Sequence, residues 1–463
     1  MRIFNTMSMQ KEEFIPMDPQ NIRIYACGPT VYNFIHIGNA RPLCVFDVLR
    51  RYMEFIGMKV NFVQNFTDID DKLINKANEE GITVPEVATR YIKEYWTDAK
   101  GLNIREATTH PKATENIEQI ITFISTLIDK GYAYAVDGDV YFRTLRFGEY
   151  GKLSHQPIED LQSGARIDVN DIKENPLDFA LWKNAKPGEP YWETPWGNGR
   201  PGWHIECSTM AKRYLGDTID IHCGGQDLIF PHHENEIAQS ECANSVPFAR
   251  YWMHNGYINV DNKKMSKSLG NFFTVRDVAN AYGYEPIRYL MIASHYRSPI
   301  NYSTEVIEQC KASLERLYNC RNNLDFAVEN APDGEADGEF AAKMNEYKAR
   351  FIEAMDDDLN TADALASVFD LVRDINSNVI NSGMSKQTML LAADMFDSLC
   401  GVLGIVYNRK KESIDSEIEN LIQQRAEARK ARNFAEADRI RDLLKEQGIV
   451  IEDTPQGVKW RRI

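Results

Sequence analysis

The chain has 463 residues, of which 43% are hydrophobic and 26% charged, a composition typical of a globular protein. At about 150 residues per domain, this length predicts more than one domain. No apolar run reaches the ~20 residues of a transmembrane helix, and Met1 to Phe14 lacks the apolar segment of a secretory signal. The net charge of −15 excludes nucleic-acid binding through the whole surface, because cations drive phosphate binding.

The eight cysteines are scattered along the chain and form no CxxC pair. In a long chain without a secretory signal, this usage indicates reduced thiols, with room for a metal site among them. We therefore expect a cytoplasmic protein that does not bind membranes.

The N-terminal part shows a strand–helix–strand pattern. Ile22–Ala26 predicts a strand and residues 59–66 predict a second one. Between them, residues 39–56 predict a helix with Asn39 as its N-cap and Pro42 in its first turn. This spacing predicts a parallel, doubly wound α/β sheet.

Residues 84–100 and 111–130 predict helices, and residues 131–142 predict a hairpin that turns at Asp137-Gly138. Residues 184–203, rich in Pro, Gly and Trp, predict a loop or inserted segment. They contain a formal GxGxxG match, but no predicted strand precedes it, so we reject a dinucleotide fingerprint.

After Ser303, a predicted N-cap, the pattern becomes helical. An antiparallel bundle of four helices is predicted over 304–328, 338–355, 360–381 and 386–404. Two further helices are predicted over 414–431 and 433–447, before two short strands. Residues 421–463 carry ten Lys/Arg and seven Asp/Glu, a net charge of +3, which suits either RNA contact or a solvated helix face.

These patterns predict three domains. We expect an α/β parallel-sheet domain over 1–302, with an insertion at about 100–200. An α-helical bundle would follow over 303–410, and a small mixed α/β module over 411–463.

Two segments suit the two ends of a nucleoside triphosphate. His36-Ile37-Gly38-Asn39 opens a helix, whose N-terminal N–H groups and partial positive charge favour phosphate. His36 and Asn39 can donate hydrogen bonds to phosphate oxygens, and Gly38 lets a flat base approach the backbone. Lys264 and Lys267 lie in the lysine loop (Lys264–Ser268) and are mobile charges that can stabilise a pyrophosphate leaving group. Each segment alone is also compatible with an ordinary polar turn.

Together the two segments resemble the HIGH and KMSKS motifs of class I aminoacyl-tRNA synthetases, in the expected order, and the resemblance covers the whole chain. The second histidine of the first motif is Asn39 here, which keeps a donor but cannot carry a proton. The resemblance implies a Rossmann-like catalytic domain that activates an amino acid with Mg²⁺ and ATP.

A third group of residues has metal-ligand chemistry. His232 and Glu236 stand at i and i+4 of a predicted helix and face the same side. Cys27 follows the first strand, and Cys207 completes a set of two thiolates, an imidazole and a carboxylate that suits zinc. Spacing alone leaves competing ligands, namely Cys223, His204, His222 and His233.

The segments C-G-P-T-V-Y, G-W-H-I-E-C-S and F-P-H-H-E-N-E-I-A-Q are similar to those of the cysteinyl-tRNA synthetase family, as are residues 67–72 and 355–361. The resemblance implies one Zn²⁺ held by Cys27, Cys207, His232 and Glu236. It also implies substrate contacts by Thr67, Trp203 and Asp227, of which Trp203 would wall the pocket and Asp227 hold the substrate amine. Core packing of Trp203 and helix capping by Asp227 remain alternatives.

Such a zinc would explain how cysteine is told from serine, which differs only by oxygen for sulfur. An apolar pocket discriminates near-isosteres by only ~1–3 kcal/mol. Zinc binds a thiolate at ~2.3 Å, which a serine hydroxyl imitates poorly. The family's partners would be ATP, L-cysteine and tRNA(Cys), with the chain acting as a monomer and residues 411–463 reading the anticodon. Trp460, Arg461 and Arg462 are candidate anticodon contacts, and burial of Trp460 is the alternative.

Two other functions remain open at this point. A related ligase type passes activated cysteine to a small amine acceptor and would not need a basic C-terminal module. A catalytically silent, zinc-containing RNA-binding protein would not need the lysine loop. The basic residues of 421–463 argue against the first, and the intact lysine loop argues against the second.

Overall fold

A computed structural model describes residues 1–158, 172–264, 272–380, 383–409, 416–454 and 457–462. The first elements are β1 (Arg2–Asn5), β2 (Gln10–Glu13), β3 (Ile22–Ala26), α1 (Ile37–Phe55), β4 (Val60–Gln64), α2 (Asp71–Glu80), α3 (Val84–Gly101), α4 (Ile117–Asp129), β5 (Ala133–Val136), β6 (Asp139–Phe142), β7 (Phe179–Asn184) and β8 (Gly199–Pro201). They are followed by α5 (Trp203–Leu215), β9 (Ile219–Gly225), α6 (Glu234–Asn244), β10 (Ala249–Asn255), β11 (Ile258–Val260), β12 (Lys263–Lys264), α7 (Val275–Tyr282), α8 (Tyr284–Ile292) and β13 (Ile300–Tyr302). The last elements are α9 (Thr304–Asn330), α10 (Gly338–Asp356), α11 (Thr361–Asp374), α12 (Lys386–Leu403), α13 (Ser416–Lys430), α14 (Phe434–Glu446), β14 (Ile449–Thr454) and β15 (Gly457–Arg462).

The central sheet has the strand order β10-β9-β3-β4, and each neighbouring pair is parallel. Four of the five residues of β3 are buried, as expected for a parallel strand that is covered on both faces. Helix α1 connects β3 to β4, so the predicted strand–helix–strand unit and the predicted parallel α/β sheet are confirmed. The carboxyl ends of all four strands lie at one edge, which is where ligands bind in such sheets.

Helix α1 begins earlier than predicted, and Asn39 is not its N-cap. His36 is the N-cap, with extended backbone, and the side-chain oxygen of Asn39 accepts a hydrogen bond from the His36 N–H at 3.1 Å. Asn39 therefore stands at the third helical position, where a side chain can reach back to the cap. Pro42 lies inside the helix and not in its first turn, so the Gly38 carbonyl has no N–H four residues on.

A second sheet, with the order β5-β6-β7-β8, is antiparallel. The predicted hairpin is confirmed, because β5 and β6 flank Asp137-Gly138 and both turn residues have positive φ. The prediction of an irregular loop over 184–203 is wrong in part. Residues 199–201 form β8, which pairs with β7.

The four predicted bundle helices are present as α9 to α12. The hydroxyl of Ser303 accepts a hydrogen bond from the N–H of Val306 at 3.3 Å, which confirms Ser303 as a cap. The C-terminal pair α13 and α14 precedes an antiparallel hairpin of β14 and β15. Among the described residues, no helix combines the length and the apolar composition that a membrane crossing requires.

The chain divides into two compact units that are not contiguous in sequence. The first comprises Met1–Leu314, Arg350–Ala366 and Gly401–Ile405, and it contains both sheets described above. The second comprises Glu315–Ala349, Ser367–Cys400 and Val406–Ile463. Within the second unit, Ile418, Ile440, Leu444 and Ile449 form a small hydrophobic core of their own.

Candidate active site and metal centre

The structure brings Cys27, Cys207, His232 and Glu236 together. Cys27 directly follows β3, Cys207 lies on α5, His232 lies in the short π-helical segment Ile229–His233, and Glu236 lies in the first turn of α6. One ligand atom from each residue lies within 4.8 Å of all the others. The two sulfur atoms are 3.9 Å apart, Glu236 Oε1 is 3.4 Å from Cys27 Sγ, and His232 Nε2 is 2.9 Å from the same oxygen.

This donor set fits a zinc ion. Two sulfurs that each bind a tetrahedral zinc at ~2.3 Å stand roughly 3.8 Å apart. The observed separation of 3.9 Å agrees with that spacing without any movement of the chain. Thiolate, imidazole and carboxylate are also the ligand types that zinc prefers in proteins. Cys207, His232 and Glu236 are buried, so water competes little for the metal.

The protonation of the two thiols and the imidazole shows which protons a bound cation would displace. Burial, followed by the neighbouring Cys207, raises the pKa of Cys27 well above its usual value, so this thiol keeps its proton. The hydrogen bond from Cys27 lowers the pKa of Cys207 to about 6. Burial opposes the charging of His232, but the Glu236 carboxylate outweighs burial and raises the pKa of this imidazole to about 10. Metal binding would therefore release protons from Cys27 and His232.

A layer of buried histidines lies behind these residues. His222 Nε2 lies 2.9 Å from Glu236 Oε2, and His233 Nε2 lies 3.3 Å from Cys27 Sγ. His233 Nδ1 bonds His254 Nε2 at 2.8 Å, and His254 Nδ1 bonds the Thr6 hydroxyl at 2.8 Å. Such contacts orient ligand side chains in metal sites.

Geometry leaves two overlapping ligand sets. Cys27, His222, His233 and Glu236 also place their ligand atoms within 4.8 Å of one another, and they share Cys27 and Glu236 with the first set. Of the four competing ligands in the sequence, His222 and His233 thus lie at ligand distance. Within the described residues, Cys223 and His204 belong to neither set. Cys223 contacts the Tyr25 carbonyl. The Nδ1 atom of His204 lies 2.9 Å from Nδ1 of His232, which is not the nitrogen that faces Glu236.

The three expected substrate-binding residues occupy different places around this centre. Trp203 begins α5, is 42% exposed, and its ring lies 4.2 Å from the His232 ring, so it is not a core residue. Thr67 is buried just beyond β4 and donates its hydroxyl to Glu206 at 2.9 Å. Asp227 is exposed in the turn after β9. It does not cap α6, because the N-cap of α6 is His233.

Two polar residues beside Cys207, Asn65 and Glu206, were not predicted from the sequence. The side-chain oxygen of Asn65 accepts from the Gly28 N–H at 2.9 Å and lies 3.9 Å from Cys207 Sγ. Glu206 is buried, and burial followed by Cys207 raises its pKa well above the usual value. The position of Asn65 directly after β4, at the carboxyl edge of the sheet, was the available signal.

The N-terminus of α1 bonds the part of the chain that follows the lysine loop. Before the lysine loop, the chain forms β12, which ends at Lys264 and pairs with β11. After the loop, residues 273–275 run beside residues 35–37. The Ile37 N–H bonds the Phe273 carbonyl at 3.0 Å, and the Val275 N–H bonds the Ile35 carbonyl at 2.9 Å. Residues 265–271, Lys267 among them, lie outside the described residues. So does the side chain of Lys264.

Three family models match the chain. The class I (C) catalytic domain of tRNA synthetases matches residues 13–312, the DALR domain matches 350–407, and the cysteinyl-tRNA ligase anticodon binding domain matches 411–461. The chain is 59% identical to the cysteine–tRNA ligase of Caldicellulosiruptor saccharolyticus and 56% identical to that of Clostridioides difficile. Both alignments cover 100% of each protein.

Among solved structures, the chain resembles Mycobacterium tuberculosis methionyl-tRNA synthetase in complex with methionyl-adenylate. The TM-score is 0.63 at 15% identity, and the alignment covers 84% of this chain and 92% of that one. The class I synthetase fold that the sequence implied is thereby confirmed.

Proposed function

The chain belongs to the cysteine–tRNA ligases among the class I aminoacyl-tRNA synthetases, and on this basis we propose the chemistry of its site. The enzyme joins L-cysteine to tRNA(Cys) at the expense of ATP. The reaction runs through a cysteinyl-adenylate, and a bound zinc recognises the substrate thiol. The observation that carries this proposal is the convergence of two thiols, an imidazole and a carboxylate within 4.8 Å, beside the half-exposed Trp203.

Cys27, Cys207, His232 and Glu236 would hold the zinc. Bound there, zinc would supply a coordination position for a cysteine thiolate, which a serine hydroxyl cannot match. Access favours this set over the alternative one. All three histidines are buried, but the rings of His222 and His233 lie against the buried Trp252, whereas the His232 ring lies against Trp203, which is 42% exposed. His222 and His233 instead orient Glu236 and Cys27.

In the first step, the cysteine carboxylate attacks the α-phosphate of ATP in line, and pyrophosphate leaves. His36 and Asn39 hold phosphate oxygens at the N-terminus of α1, while Gly38 leaves space for the base. The oxygen of Asn39 is occupied by the His36 N–H, so its NH₂ group remains the donor. Asn39 therefore replaces a histidine without loss of hydrogen bonding to phosphate.

Lys264 and Lys267 stabilise the charge that develops on the departing pyrophosphate. Mg²⁺ accompanies ATP. Thr67 and Asp227 belong to the substrate pocket, where Asp227 holds the cysteine amine. In the second step, a terminal ribose hydroxyl of the tRNA attacks the adenylate carbonyl, and AMP leaves.

The acceptor is tRNA and not a small amine, because the chain carries a C-terminal module that a small amine would not need. Residues 411–461 match an anticodon binding domain. Its positive charge is local: residues 421–463 carry a net charge of +3, whereas residues 411–420 carry one lysine and four carboxylates. We place the catalytic domain at 1–302, the helical bundle at 303–410 and the anticodon module at 411–463. The free state of all eight cysteines supports a cytoplasmic enzyme, and we propose that it acts as a monomer.

The test compares Cys207→Ser with Cys223→Ser. Both cysteines are buried near the sheet, but only Cys207 belongs to a ligand set. We expect Cys207→Ser to lose bound zinc and cysteine-dependent ATP–pyrophosphate exchange, and Cys223→Ser to retain both. Metal analysis and exchange assays on the same preparations decide. Full zinc and full exchange in Cys207→Ser would overturn the proposal.

A further inference from the structure

Helix α1 contains a buried guanidinium that the proposed chemistry does not use. The Arg41 side chain is 0% exposed. Within the described residues, Arg41 donates hydrogen bonds to four backbone carbonyls and to no carboxylate. Nη1 donates to Gly256 and Tyr257 at 2.9 and 3.0 Å, and Nη2 donates to His295 at 3.2 Å and to Ser298. Burial lowers the pKa of Arg41 to about 10, so the group stays charged near neutral pH.

The four carbonyls belong to two turns of the chain that lie against each other. Gly256 and Tyr257 connect β10 to β11, and residues 293–299 connect α8 to β13. The Gly256 N–H bonds the Tyr296 carbonyl at 2.9 Å, and a Cβ at Gly256 would lie 2.6 Å from the Arg297 carbonyl oxygen. The two turns therefore touch through their backbones. The planar fork of Arg41 joins them, with one nitrogen on each turn.

These turns set the position of strand β11. Its Ile258 pairs with Ile300 of β13 directly after the turns, and its other edge pairs with β12, which ends at Lys264. Arg41 thus lies five residues after His36, the N-cap of α1, and also holds the base of the hairpin that ends at Lys264. Beyond the lysine loop, Phe273 and Val275 bond the residues that flank His36.

We propose that Arg41 is a positioning residue for adenylate formation, which fixes the β11–β12 hairpin relative to the N-terminus of α1. The N-terminus of α1 and the backbone of the strand that ends at Lys264 are then held at a fixed separation. This inference rests on the proposed function and deepens it. Lysine has a single nitrogen on a flexible stem, so Arg41→Lys keeps the charge but loses the rigid fork that places one nitrogen on each turn.

Arg51 provides a matched control. It is a buried arginine on the same helix, and it bonds Asp47 at 2.6 Å and the carbonyls of Asn103 and Gly401. None of these partners belongs to the two turns. Arg51→Lys therefore reports the loss of stability that any change of a buried arginine in α1 causes.

The experiment measures ATP–pyrophosphate exchange, zinc content and melting temperature in the full-length enzyme. In Arg41→Lys we expect kcat for exchange to fall by ~10-fold or more, as misplacement of charged groups costs. KM for cysteine and zinc content should stay unchanged. Arg51→Lys should melt earlier without change in kcat. If Arg41→Lys loses only stability, as Arg51→Lys does, the inference is overturned.

If Arg41→Lys does not fold, a second variant tests the proposal. Asp358 also holds the turn at residues 293–299. Its carboxylate accepts hydrogen bonds from the Tyr296 hydroxyl and from Arg297 Nε, both at 2.8 Å. Asp358→Asn should lower kcat for exchange with normal zinc content, and an unchanged kcat would reject the inference. Absence of cysteine-dependent exchange in the unaltered enzyme would instead refute the proposed function.

Discussion

His110 is held as a neutral imidazole by its two hydrogen-bond partners. The Ala107 N–H donates to its Nε2 at 2.8 Å, so Nδ1 must carry the proton and donate to the Gln64 carbonyl at 2.9 Å. The ring stacks on Phe66 at 5.4 Å. Burial lowers the pKa of His110 to about 4, from an ordinary value of 6.5.

The free energy of unfolding should therefore decrease as the pH is lowered from 6.5 to 4. In this window the unfolded chain binds a proton at His110 and the folded chain does not, so stability is full above the window and is lost as the pH falls. A gap of about 2.5 between the two pKa values corresponds to on the order of 3 kcal/mol. Denaturant unfolding should show a shallower loss for His110→Gln than for the unaltered chain, and equal losses in both proteins would contradict the assignment.

Single residues of the site differed in how far the sequence revealed them. The i, i+4 spacing of His232 and Glu236 placed both on one face, and their measured contact of 2.9 Å agrees. The partner of the second Glu236 oxygen, His222, lies on β9 and could not be chosen from spacing. Asn39 was mistaken for a cap because the cap depends on the extended backbone of His36, which the residue type does not encode.

At the scale of elements, the turn after β3 requires a glycine. A Cβ at Gly28 would lie 1.6 Å from the carbonyl oxygen of Asn65, which belongs to the backbone and cannot move aside. The N–H of Gly28 is also bonded to the Asn65 side chain. This close contact between the segments after β3 and β4 fixes Cys27 beside Cys207.

Gly28→Ala should destabilise the enzyme by more than about 2 kcal/mol, since overpacking against backbone forces the strands apart. Because the same shift moves Cys27, zinc content should fall as well. Gly148→Ala is the control, because a Cβ there meets nothing within 4 Å. Melting curves and metal analysis of the two variants test this prediction, which fails if Gly28→Ala behaves like Gly148→Ala.

Periodicity predicted many of the helices and strands, but it did not identify β9 and β10 of the central sheet, and at β8 the prediction was wrong. Residues 199–201 form β8 although they contain Gly and Pro, which predict a loop. The strand order β5-β6-β7-β8 places β8 at the edge of its sheet, where a missing N–H is tolerated. Edge position is a property of the sheet and cannot be obtained from the local sequence.

At the scale of the whole molecule, the first unit recruits segments that are distant in sequence. Asp358 accepts a hydrogen bond from the Phe4 N–H at 2.7 Å, and Arg288 donates to the Leu403 carbonyl at 3.0 Å. Residues 350–366 and 401–405 are thereby joined to the unit that contains the catalytic sheet. Helical periodicity predicted the helices that contain these two segments, but it does not indicate which unit each segment joins.

Removal of residues 411–463 should separate the two half-reactions. These residues include a small hydrophobic core of their own and belong to the second unit, whereas the catalytic sheet belongs to the first. We expect a chain that ends at residue 410 to keep cysteine-dependent pyrophosphate exchange and to lose most transfer to tRNA(Cys). Comparison of exchange and aminoacylation on one preparation tests this, and undiminished aminoacylation would show that the segment does not bind tRNA.

The central claim is that a bound zinc selects cysteine in a site that activates it with ATP. ATP–pyrophosphate exchange with cysteine and with serine, measured before chelation, after chelation and after zinc is restored, tests it most directly. The account predicts exchange with cysteine that disappears with the metal and returns with zinc, and exchange with serine that stays at background throughout. Cysteine-dependent exchange that persists in the metal-free enzyme would contradict it.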